Sequence, residues 1–203
     1  MSRYQHGQQV PAGLSHATVL PDLDFETYSE AGMLWREGVQ KWVSPVGGQK
    51  KGLPLVGLGV YAEHPSTEIM SMAYDLKDGR GARLWVPGSP DPQDLFDHIA
   101  AQQPLEAWNV LFEYMIWNYV GHLKMGWPML PQHILYDAMA KSRAYSLPGK
   151  LANAAKVVGT RLKDTDKGVR VIRRYCVPRN PTKNDRRLRI RPEEELHKGV
   201  ELY

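Results

Sequence analysis

The sequence predicts an α/β fold in which helices flank a mixed sheet. Three observations point there: an early strand with alternating apolar and acidic residues, two β-rich runs about an Asp-Gly turn, and a later series of amphipathic helices separated by a short apolar strand.

Strand one lies in HATVLPDLDFET, where Leu23 and Phe25 point one way and Asp22, Asp24 and Glu26 the other. Pro21 cannot donate to a ladder, so the paired part starts after it. Residues 35–57 hold five glycines and two prolines with no sustained period and read as a surface insertion that leaves room for a hairpin. TEIMSMAYDL and GARLWVPG, around Asp78-Gly79, read as antiparallel strands two and three. A helix is expected in DPQDLFDHIAA, with proline and carboxylates in its first turn, then a short strand in LEAWN. Phe112, Ile116, Tyr119 and Leu123 form a stripe along a helix in VLFEYMIWNYVGHL. Two more helices are expected over about 133–145 and 148–158. The order β-β-β-α-β-α is what a ribonuclease H-like fold shows at its start.

At 203 residues and 42% hydrophobic content the chain suits one domain. The single cysteine, Cys176, cannot form an internal disulfide, although a basic neighbourhood makes a lowered thiol pKa conceivable there. No secretory signal or membrane-spanning apolar run appears, so no membrane partner and a reducing cytoplasm are expected. Residues 1–17 read as a flexible leader and 18–203 as the domain. The net charge of +4 hides an asymmetry, since residues 161–191 carry a local +9 and leave −5 elsewhere. This basic arm reads as an irregular stretch that attracts phosphates, or as a solvated loop. Pro192-Glu193-Glu194-Glu195 has the pattern of a helix start.

Asp24-x-Glu26 places two carboxylates side by side at the end of strand one, an arrangement that serves hard divalent cations or is merely solvated. Asn109 and Glu113, four apart across the next strand-to-helix junction, bring a third carboxylate to the same side, with Phe112 turned into the core. The alternative is that Asn109 caps the helix and Glu113 is an exposed first-turn acid. His64, His98, His122, His133 and His197 are scattered and lack metal-ligand spacing.

LDFETYSEAG, VYAEHPSTEIMSMAYDL, WNVLFEYMIW, LYDAMAKSRAYSLPGKLANAAKVVG and RRYCVPRNPTKNDRRLR together resemble the N-terminal 3′→5′ exonuclease domain (DEDD superfamily) of phage-type family A DNA polymerases over about residues 18–203. The resemblance implies that Asp24 and Glu26 form the first exonuclease motif and that Glu113 takes the second-motif position. Asn109 and Phe112 match supporting positions there. Asp137 resembles an aspartate that follows the second motif, where a structural hydrogen-bonding role is expected. Two Mg²⁺ or Mn²⁺ ions and the 3′ end of single-stranded DNA are implied as cofactor and substrate. Thr27, Tyr28, Arg173 and Arg174 are expected to contact that strand, although Tyr28 equally suits ordinary packing.

The resemblance also implies a third motif, a tyrosine followed four residues later by an aspartate, which is not among these 203 residues. The polymerase remainder, in cis or as a separate chain, is therefore an expected partner, and a phage or its bacterial host cell the expected setting. The competing expectation is a non-catalytic nucleic-acid-binding or assembly module, one piece of a split or decayed polymerase. A third is a related nuclease acting on RNA or structured DNA.

Overall fold

A computed structural model describes residues 19–160 and 165–194. The expected leader lies outside the described residues, as does any helix continuing beyond Glu194.

Strand β1 (Asp22–Tyr28) begins just after Pro21, whose carbonyl accepts the Glu106 N–H at 2.7 Å. It pairs antiparallel with β4 (Glu68–Asp75), which pairs antiparallel with β5 (Arg83–Trp85). On its other side it runs parallel to β6 (Leu105–Ala107), which runs parallel to β7 (Leu135–Asp137). The order β5-β4-β1-β6-β7 makes a five-stranded mixed sheet flanked by helices, consistent with a ribonuclease H-like arrangement.

Leu23 and Phe25 go into the main core while Asp24 faces outward, as the alternation requires. Between Glu26 and Thr27 the register skips Met70 of β4, a bulge that turns Met70 to the carboxylate-bearing face. Aromatic rings fill the core on the other face. Trp117 and Trp127 lie 5.0 Å apart, with Phe25, Phe96 and Trp85 around them.

The insertion does form a hairpin, β2 (Leu34–Arg36) with β3 (Lys41–Val43), in which Trp35 opposes Trp42. Its C-terminal part, however, enters a helix that the sequence reading missed, α1 (Leu53–Glu63). Gly57 kinks α1 with φ of 77°, and Pro54 and Gly59 further interrupt the apolar period that would have revealed it.

Helix α2 (Gln93–Ala100) forms where expected. The next helical stretch runs from α3 (Val110–Ile116) through a π turn (Trp117–His122) into α4 (Leu123–Met125). The segment expected as a helix over about 133–145 instead opens with a 3-10 turn and strand β7, and only then becomes α5 (Ala138–Ala144). Three residues are too few to show a strand period. Helix α6 (Leu151–Val158) follows.

The basic arm is corrected in part: its first stretch is a helix, α7 (Thr165–Tyr175), while residues 176–191 are irregular as expected. Val171 and Tyr175, one turn apart, turn inward and join Tyr28, Met70, Cys176 and Ile190 in a second small core on the carboxylate-bearing face of β1. The arm is thus docked on the sheet. Asn180 fastens it to the hairpin by accepting the Trp42 N–H at 2.7 Å.

Candidate functional site

Asp24 and Glu26 share the outer face of β1, Asp24 exposed and Glu26 half-buried. Their cross-strand neighbours are the small residues Ala73 and Ser71.

Glu113 projects from α3 and is 3% exposed. Its Oε2 is buried without a hydrogen-bond partner among the described residues. Burial pushes its carboxyl up to about 8, and the negative charges of Asp24 and Asp137 push the same way. Glu113 is therefore not the exposed first-turn acid of the alternative reading.

Asn109 makes the turn into α3 in the left-handed region (φ 67°), which asparagine tolerates better than most residues. Its side chain does not cap the helix. Its backbone N–H donates to Asp137 Oδ1 at 3.2 Å, and the same oxygen accepts from Met139 N (2.9 Å) and Ala140 N (3.2 Å). Asp137 thus caps α5 and ties the end of β7 to the turn that launches Glu113. Phe112 packs against the core, its ring 6.4 Å from that of Tyr61.

Comparison with family models, with curated proteins and with solved structures finds no match. The site therefore stands on its own geometry. Carboxylate oxygens are the donors that Mg²⁺ and Mn²⁺ take, and an orphaned buried carboxylate oxygen beside a second acid suits a cation. As the side chains stand, no three His, Cys, Asp or Glu groups among the described residues are clustered closely enough to hold an ion. The fit is thus one of donor chemistry and charge, with no finished cage.

The expected strand contacts divide. Arg173 and Arg174 are exposed in the last turn of α7. Thr27 is buried, its hydroxyl 2.9 Å from that of Tyr61. Tyr28 lies on the carboxylate-bearing side but is 1% exposed, and the Arg189 guanidinium sits 3.8 Å from its ring centre. Neither Thr27 nor Tyr28 is open to a nucleotide base, so ordinary packing accounts for both. Burial pushes the Cys176 thiol up to about 12, with the charge of Glu26 adding to it, and so the expectation of a lowered value fails.

The sequence reading missed the clamp that holds the arm down. Arg189 donates to both oxygens of Glu68 at 2.7 and 2.8 Å, and Arg191 adds a contact at 3.2 Å. Nothing local signals this pairing across 121 residues. Among the described residues no helix is long and apolar enough to cross a membrane.

Proposed function

We propose that this chain carries most of a 3′→5′ exonuclease domain acting on single-stranded DNA ends, with Asp24, Glu26 and Glu113 as ligands for two Mg²⁺ or Mn²⁺ ions. The observation that carries the proposal is Glu113. A buried carboxylate oxygen without a partner, pressed by the charge of a second carboxylate, is unfavourable in a structural role, and perturbed acids of this kind concentrate at functional sites.

Two divalent cations bound there would activate the attacking water and steady the leaving oxygen. Asp24, exposed at the lip, is placed to meet a phosphodiester entering from solvent. Glu26, half-buried on the same face, offers a second set of oxygens. Glu113 holds a proton at neutral pH while the site lacks positive charge and releases it when positive charge arrives. Asp137 is a positioning residue, because its bonds to Asn109, Met139 and Ala140 fix the turn from which Glu113 projects. The aspartate of the third motif would complete the ligand set, in cis or from the polymerase remainder.

A second reading, a non-catalytic nucleic-acid-binding module, draws on the absence of a three-ligand cluster among the described residues and on the basic outer face of α7. One experiment separates the two. 5′-labelled single-stranded DNA is incubated with Mg²⁺ or Mn²⁺ and either this chain, its Asp24→Ala variant, or a longer chain continuing through the third-motif aspartate. A metal-dependent ladder from this chain or the longer one, lost on Asp24→Ala in whichever chain cuts, supports the exonuclease. Binding without cutting by either chain supports the module.

A further inference from the structure

Arg170, Arg173 and Arg174 stand at i, i+3 and i+4 on α7 and therefore share one helix face. With Arg179 from the following loop and Ile190 they line an open pocket of about 240 Å³. Arginines at the end of a helix have an ordinary explanation, since cations there complement the negative end of its dipole. That explanation covers Arg173 and Arg174, which lie in the last turn. It does not cover Arg170, a turn earlier, or Arg179, beyond the helix.

Arg179 is held in place rather than trailing in solvent. Its backbone N–H donates to the Leu188 carbonyl at 3.0 Å, and its guanidinium pairs with Asp185 at 2.6 Å. Ile190, 2% exposed, anchors the pocket wall in the same small core as Tyr28 and Tyr175. The pocket is therefore fixed to the strand that bears Asp24 and Glu26. The electrostatic influence of Glu26 on Cys176, one residue past α7, agrees with that placement.

Resting on the single-strand reading above, we propose that this four-arginine pocket is a subsite for the phosphate backbone of the DNA strand whose 3′ end lies at the carboxylates. Guanidinium forks match phosphate oxygens in pairs. The pocket has several times the ~30 Å³ share of one water molecule, room for a phosphodiester with some of its hydration. An open pocket cannot bury most of a free small ligand, yet it can grip a strand passing across it without reading sequence.

The test is binding of a fluorescein-labelled oligodeoxythymidylate, followed by anisotropy over a range of salt, in EDTA so that no cutting intervenes. Wild type is compared with Arg170→Gln and with Arg170→Gln/Arg179→Gln. Because Arg179 also pairs with Asp185, the single variant keeps the test decisive if the double variant unfolds. We expect Arg170→Gln to weaken binding about 3- to 10-fold and to lower the slope of log K against log salt by about 0.7, the release expected for one phosphate contact on a single strand. The folded double variant should lose about twice that slope.

Unchanged affinity and slope in a folded Arg170→Gln would overturn the proposal. So would tight binding of inorganic pyrophosphate that the same substitution abolishes while oligonucleotide binding stays intact, since that assigns the pocket to a free phosphate. The nuclease reading fails separately: a chain that never cuts but shows the slope loss keeps the subsite, whereas one that cuts while its Arg170→Gln variant binds normally loses the subsite alone.

Discussion

Arg189 lies across the Tyr28 ring with its guanidinium 3.8 Å from the ring centre, and the ring is buried beneath it. The same guanidinium holds Glu68, but that ion pair is about 40% exposed on the Glu68 side and contributes at most ~1 kcal/mol. The stacked and desolvated contact contributes more, up to ~2 kcal/mol. We expect Arg189→Ala to destabilise the fold by ~1–3 kcal/mol in urea unfolding. Hydrogen exchange should rise first in α7 and around Ile190. Unchanged protection there would show that the arm is held by other contacts.

Glu113 makes the metal-free protein sensitive to pH. Between its ordinary value of 4.5 and the folded value of about 8, the native state keeps a proton that the unfolded chain has released. Stability therefore falls as pH rises through that window, by at most ~5 kcal/mol if the whole shift is expressed. Urea midpoints measured in EDTA should decline from about pH 5 to about pH 8 and flatten above it. Glu113→Gln should remove most of that slope, and a variant as pH-dependent as wild type would place the titration elsewhere.

Asp137 is expected to act through geometry. Asp137→Ala leaves three backbone N–H groups without their acceptor and should cost ~1–3 kcal/mol. Asp137→Asn keeps an oxygen in place and should cost under about 1 kcal/mol. The Asn variant should also retain any response to Mn²⁺. Loss of that response in a stable Asp137→Asn protein would make Asp137 a ligand.

Two helix glycines should answer oppositely to alanine. At Gly121 a Cβ would fall 2.6 Å from a ring atom of Trp127, so Gly121→Ala overpacks the core and should destabilise by ~1–3 kcal/mol, with a changed near-UV signal. At Gly168 in α7 a Cβ would meet nothing within 4 Å among the described residues, and alanine should stabilise by ~0.5–1 kcal/mol. Chemical denaturation of both variants checks the sign.

How much of this was legible follows from how local each signal is. The alternation of Leu23, Asp24, Phe25 and Glu26 gave both the strand and its acidic face, and the turn at Asp78-Gly79 gave the β4–β5 pair. Helix α1 was hidden because Gly57 and Pro54 broke its period, and β7 because it is three residues long. In the arm the many cations mask the helical spacing of Val171 and Tyr175. The hydrogen-bonding role of Asp137 could be anticipated, but the burial of Glu113 could not. An acid in the first turn of a helix reads as solvated until that helix is packed against β1, β6 and β7. The covering of Tyr28 depended on Arg189, whose partners lie more than a hundred residues away.

The central claim is that Asp24, Glu26 and Glu113 form a site for divalent cations. It is tested most directly by following the melting temperature at about pH 8 as Mn²⁺ is raised, for wild type, Asp24→Asn and Glu113→Gln. A ligand that binds only the folded state raises its stability with concentration, so wild type should climb steadily through the millimolar range while both variants stay flat. No rise in wild type, or the same rise in all three, would contradict the account.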